Sequence, residues 1–339
     1  MTGGGPVETR TLGGTGLVVS RIGLGMAALG RPGYINLGHA ADLPPGHDVG
    51  AMGERAAAVL DAALVGGVRY FDAARSYGRG EAFLADWLAA RGVRPGAVTV
   101  GSKWGYTYTA GWRVEAERHE VKDHSLATLR RQSAESRETL GASLNLYQVH
   151  SATIESGVLG DRAVHDELAR LRGAGWKVGL SLTGPRQAEA LARALDLTDP
   201  VGGGRLFDCV QATWNVLEPS AGPALAEARG AGLGVIVKEA LANGRLTGRN
   251  DDPAFAARRR VLDAEAVRLG TTPDALALAA VLARPWADVV LSGAATVAQL
   301  RSNLGAASVA WDDAAAEALA GLAEDPAAYW ETRARLPWN

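Results

Sequence analysis

Four ionisable residues in this chain close short apolar runs or follow one directly. Their types together suggest proton transfer at a carbonyl oxygen. Asp72 falls at the end of "RYFD", and Tyr77 follows five residues later in the turn "RSYG". Lys103 ends "VTVGSK" and His150 ends "LNLYQVH". A tyrosine with its ordinary pKa of about 10 is a poor acid at neutral pH. A nearby lysine cation favours the phenolate and lowers that pKa. An aspartate would hold the lysine in place and charged, and a histidine beside the tyrosine could orient a carbonyl oxygen or relay a proton. One Asp and one His with Tyr and Lys make a poor zinc set. Singly, three of them have another reading: Asp72 caps a turn, Tyr77 is a half-buried loop residue, Lys103 is a Schiff-base lysine.

Eight apolar strand-like runs must position these groups: 21–29, 69–74, 98–103, 144–150, 177–182, 207–214, 234–240 and 289–294. Helical patterns lie between them at 53–65, 80–91, 124–140, 162–173, 185–195, 219–231, 272–284 and 296–307. Near-continuous apolar strands alternating with helices indicate a parallel sheet covered on its outer face. Eight such units predict an α/β fold, a (β/α)8 TIM barrel, whose active face lies at the C-terminal strand ends. Residues 8–20 predict an N-terminal β-hairpin closing the barrel bottom. Two long loops, 30–52 and 104–123, leave C-terminal strand ends and should reach the active face. The second carries Trp104, Tyr106, Tyr108 and Trp112, of which Trp104, Tyr106 and Trp112 are the candidate substrate wall. Lys238 sits on the seventh run, where either a carboxylate partner or a place in the pocket is open. The chain reads as one domain over 1–339, with the barrel at about 20–310 and a C-terminal helix and tail at 311–339. Whether that tail crosses the barrel mouth is open.

Composition sets the outer limits. The 339 residues are 47% hydrophobic with net charge −2, and no block of one sign points to a nucleic-acid partner. A single cysteine, Cys209, excludes an internal disulfide and a cysteine metal cluster, which suits a reducing cytoplasm. The start reads as neither a signal nor a transit peptide, and no apolar run is long enough to span a membrane.

In order and on matching strands, "YFDAARSYG", "VGSKWG" and "LYQVHSA" resemble the motifs of the aldo-keto reductase family. The resemblance runs from about residue 10 to 310. It implies that Asp72, Tyr77, Lys103 and His150 form a catalytic tetrad, with Tyr77 the proton donor. It further implies a nicotinamide cofactor and a small carbonyl substrate, aldehyde or ketone, or the corresponding alcohol. Ser181 matches the residue that holds the carboxamide, but Leu182 stands where asparagine is usual, so Thr183 or a shifted backbone is expected to compensate. Gln211 matches a second carboxamide contact, and Trp214 is expected to stack on the nicotinamide. "EALANGRLTG" resembles the loop that wraps the pyrophosphate, which implicates Glu239, Ala240, Leu241, Gly244 and Leu246. "SGAATVAQLRSN" resembles the adenosine-phosphate loop at a helix N-terminus, with Gly293, Gln299 and Asn303 matching. Ala295 stands where a basic residue often meets the 2′-phosphate, so NADP is expected with NAD also accepted, Arg301 being the nearby cation. Non-catalytic, cofactor-sensing subunits with this fold supply the alternative reading.

Overall fold

The structure is a computed structural model that describes residues 7–339; residues 1–6 of the expected domain lie outside the described residues. Eight parallel strands close into a barrel: β3 (Ile22–Gly25), β4 (Tyr70–Asp72), β5 (Thr99–Trp104), β8 (Leu144–Ala152), β9 (Lys177–Leu182), β10 (Cys209–Thr213), β11 (Gly234–Lys238) and β12 (Val289–Ser292). The outer helices are α1 (Val49–Val65), α2 (Gly80–Ala90), α3 (Leu126–Leu140), α4 (Arg162–Gly173), α5 (Gln187–Leu195), α6 (Gly222–Gly230), α8 (Pro273–Leu282) and α9 (Val297–Leu304). Each strand-like run and helical pattern expected from the sequence thus corresponds to an element. Several helices start where side chains satisfy the free amides of the first turn: Asp48, Ser125, Asp161, Thr272 and Thr296 all cap in this way.

Among the described residues, three further α-helices lie outside the repeat. The pattern reading did not mark α7 (Ala256–Arg268). Its exposed face carries so many arginines that its two buried apolar residues, Leu262 and Ala266, give little periodicity. The single C-terminal helix expected after residue 311 is two, α10 (Asp313–Ala320) and α11 (Pro326–Ala334), broken by the Asp325 cap and Pro326. The 104–123 loop also carries structure of its own, an antiparallel hairpin of β6 (Tyr106–Tyr108) and β7 (Glu120–Lys122).

The N-terminal hairpin, β1 (Thr9–Thr11) with β2 (Val18–Ser20), seals the barrel bottom. The Gly14 amide donates to the Gly232 carbonyl and the Gly13 amide to Asp288, just before β11 and β12 begin. Leu12 enters the barrel there and packs with Tyr70, Leu146, Cys209, Ile236 and Val289, all fully buried. Complete burial of one such side chain is worth about 1.5–3 kcal/mol. Above this apolar layer the barrel interior turns polar, with Asp72, Lys103, Gln148 and Gln211 all buried. Gln148 and Gln211 both donate to Asp72 Oδ1, as does the Tyr70 hydroxyl. Gly101 leaves room for this arrangement, because a Cβ there would meet the Tyr70 hydroxyl at 2.6 Å. No helix among the described residues is long and apolar enough to cross a membrane.

Candidate active site

Register brings the four residues together. Asp72 pairs across from Gly101 on β5, and Lys103 pairs across from Gln148 on β8, two residues before His150. Lys103 donates to Asp72 and to the Ala73 carbonyl, and its Nζ lies 5.1 Å from the Tyr77 ring centroid. The His150 ring meets Tyr77 edge to face with centroids 5.5 Å apart, and its Nδ1 lies 3.5 Å from the Ser76 hydroxyl. The turn holding Tyr77 is locked against the loop after β3. A Cβ at Gly30 would sit 2.2 Å from the Tyr77 carbonyl, so only glycine permits the approach.

The electrostatics differ from the sequence expectation in one respect. Burial pushes the Tyr77 hydroxyl well above its ordinary pKa, and the Asp72 carboxylate adds to the rise. The cation pulling against them is Arg31, whose guanidinium lies 5.3 Å from the ring centroid. Lys103, the cation expected to lower that pKa, is paired at contact with Asp72. Arg31 is nearly inaccessible, donates to the Ser76 carbonyl and to Glu120 on β7, and keeps a buried Nε without a partner. His150 is held far below the usual histidine range, first by burial and then by Lys103, Arg31 and Lys238. At neutral pH the site therefore holds a neutral imidazole beside a fully protonated phenol.

Asp72, Tyr77 and His150 line one end of a cavity of about 650 Å³ that continues to α9, with Lys103 buried behind them. Tyr106 lines it, as do Thr183, Gln211, Glu239, Ala240, Leu241, Gly244, Gly293, Gln299 and Asn303. Its wall also includes Arg31 and Tyr34 from the first long loop and Glu120 from the second. The tail crosses the mouth, since Arg333 and Trp338 line the cavity and Asn339 exchanges two backbone hydrogen bonds with Tyr34.

Six expected contacts lie outside the cavity wall. Trp104 is fully buried, because the strand alternation turns it outward into the core between barrel and helices. Trp112 packs edge to face on Phe83 and donates to the His47 carbonyl. Trp214 is buried against Trp286, with Arg284 over its ring, and does not reach the cavity. Leu246 belongs to the core beneath the C-terminal helices. Ala295 is buried, and its amide donates to Gln299 Oε1. Ser181 also lies outside the lining, where its hydroxyl accepts from the Ser151 amide. Arg301 is an exposed surface residue.

Several lining residues escaped the sequence reading: Arg31, Tyr34, Asn243, Arg249 and Arg333. Arg249 makes two hydrogen bonds to Asp42, and Gln299 Nε2 donates to the same carboxylate. Arg333 binds both Glu239 oxygens. The segment 239–244 takes left-handed backbone at Glu239, Ala242, Asn243 and Gly244, a concentration of costly conformations typical of ligand clamps. Asn243 Oδ1 is buried there without a partner, and a Cβ at Gly293 would meet nothing within 4 Å. A long cavity with an unsatisfied acceptor and polar side chains at both ends fits a dinucleotide.

The model of the Aldo/keto reductase family matches residues 21–324. Aldo-keto reductase str7 of Strobilurus tenacellus is 27% identical over 98% of this chain and 96% of its own length. The structure of PA4992 from Pseudomonas aeruginosa aligns over 88% of this chain and 94% of that one, at 26% identity and TM-score 0.63. The holo form of aldo-keto reductase AKR11C1 from Bacillus halodurans shares the fold at TM-score 0.71 and 20% identity, covering 94% of this chain and 97% of its own.

Proposed function

Because the chain belongs to the aldo/keto reductase family, which implies nicotinamide-dependent carbonyl reduction, we propose that Tyr77 is the acid that protonates the carbonyl oxygen. The observation carrying this reading is the Asp72–Lys103 ion pair lying under the Tyr77 ring, with His150 at its edge. When bound, the nicotinamide supplies or accepts the hydride. Every other role belongs to the chain. Neutral His150 directs the carbonyl oxygen toward the phenol. Tyr77 gives up its proton as negative charge develops on that oxygen, and Lys103 and Arg31 stabilise the phenolate left behind. Asp72 fixes Lys103. In the reverse direction Tyr77 takes the proton of an alcohol.

Thr183 and Gln211 would hold the carboxamide end of the cofactor, the 239–244 segment its diphosphate, and Gln299 and Asn303 its adenosine end. NADP is favoured by the resemblance. The adenosine end carries a nearly neutral Asp42–Arg249 pair, so weak discrimination against NAD is expected. A reducing cytoplasm suits the single buried thiol.

The test is consumption of reduced nicotinamide with a panel of aldehydes and ketones, and NADPH against NADH. Turnover that requires Tyr77 supports the reading. Tight cofactor binding without turnover on any carbonyl would favour a cofactor-sensing subunit instead.

A further inference from the structure

The charges around the tetrad do not cancel. Asp72 matches Lys103, and Glu120 pairs with Arg31 at 2.8 Å. Glu239 is committed to Arg333, which reaches both of its oxygens. That leaves Lys238, at the C-terminal end of β11, without a carboxylate of its own. Its Nζ donates to the Thr213 hydroxyl at 2.7 Å and stands 3.6 Å from the already bound Glu239. The side chain is largely buried yet lines the cavity. It shares the cavity wall with Tyr77 and His150, and burial, with Lys103, Arg31 and Lys238 adding to it, holds His150 below the usual histidine range.

Burying an ammonium beside other cations is costly unless a counter-charge arrives. From the surplus charge and its place we infer that Lys238 recognises a substrate carboxylate, so that the preferred substrates are carbonyl compounds that also carry an acid group. The inference rests on the reductase reading of the same site. It does not repeat it, since nothing in that chemistry requires a charged substrate. The other anion that could come near is the cofactor diphosphate. The 239–244 segment and α9 already serve that end of the cavity, whereas Lys238 ends β11 beside Thr213 of β10 and opens onto the cavity that Tyr77 and His150 also line.

The test uses the full chain with K238M and the charge-retaining K238R. Two aldehydes that differ only in the acid group, 4-carboxybenzaldehyde and benzaldehyde, are compared by kcat/KM. Losing one charge-assisted contact should lower the charged-to-neutral ratio by about 10- to 100-fold in K238M, with K238R recovering most of it. Benzoate, which cannot be reduced, is titrated separately by tryptophan fluorescence and should bind K238M at least about tenfold more weakly. If the wild type reduced neither aldehyde, the reductase reading would fail while benzoate binding still decided the role of Lys238. An unchanged ratio together with equal benzoate affinity overturns the inference. So does a loss confined to NADP titration, which would assign Lys238 to the cofactor diphosphate.

Discussion

Trp338 lies flat on the His119 imidazole, with ring centroids 4.0 Å apart and planes 6° from parallel. Arg31 covers the same indole at 4.8 Å and also faces the Tyr77 ring, so the tail is tied to the 104–123 loop beside the proposed proton donor. Aromatic pairs of this kind contribute about 0.5–1.5 kcal/mol beyond area burial. Trp338→Ala is expected to raise KM for carbonyl substrates about threefold to tenfold with little effect on cofactor affinity. Steady-state kinetics beside a cofactor titration checks it; equal loss of both would mean the tail supports the whole fold.

Tyr77→Phe is expected to lower carbonyl turnover by about 10²–10⁴-fold, the usual worth of general acid catalysis. Cofactor binding should be nearly unaffected, because only a hydroxyl is lost. A Phe variant with wild-type turnover would remove Tyr77 from the mechanism.

Lys103 and Asp72 are both shielded from water. Removing one partner of a buried pair typically costs about 3–5 kcal/mol, because it strands the other charge. Lys103→Met should therefore destabilise the fold by that order, and adding Asp72→Asn should restore part of it. Urea unfolding of the two single variants and the double variant measures the coupling. Strict additivity would show that the charges are independent.

Acid sensitivity should begin well above the carboxylate range. His39 and His124 are both held at about 4, chiefly by burial. Their folded pKa is depressed, so the unfolded chain takes up more protons below its own value of about 6.5. The stability they contribute is present above about 6.5 and is lost as pH falls toward 4. Between pH 7 and 5 each should cost roughly 2 kcal/mol. Urea midpoints at the two pH values decide; equal midpoints would mean both rings reach solvent in the native state.

Asp42 engages Arg249, which lines the cavity that is proposed to take the adenosine at its α9 end. Asp42→Asn should free Arg249 for a 2′-phosphate and tighten NADP by about 10- to 100-fold while leaving NAD nearly unchanged. The measurement is titration with both cofactors. A wild-type preference for NADP above about a thousandfold would show that a cation already serves that phosphate.

The strand order, the hairpin and the meeting of Asp72, Tyr77, Lys103 and His150 were all legible, because each depends on local apolar periodicity and on which strand a residue ends. The aromatic residues were not. Trp104 and Lys103 are adjacent, and strand alternation sends one outward and the other inward, which a motif aligned by residue type does not register. Trp214 failed similarly, one residue past β10 and turned away from the cavity. Arg31 and Arg333 were out of reach for another reason. Each acquires its role from a partner far along the chain, Glu120 for one and Glu239 for the other, and no spacing rule links them.

Cys209 shares the lowest barrel layer with Leu12, which the N-terminal hairpin carries in as a plug. It is the only thiol in the chain, and burial raises its pKa far above the usual range. A thiol-labelling reagent can meet this sulfur only when the plug withdraws or the barrel opens. Labelling rates followed across denaturant concentrations would then separate the two events. A rate insensitive to denaturant would report the hairpin lifting off alone, and a steeply rising one the loss of the whole barrel. The chain thus carries its own chemical clock for how its floor comes away.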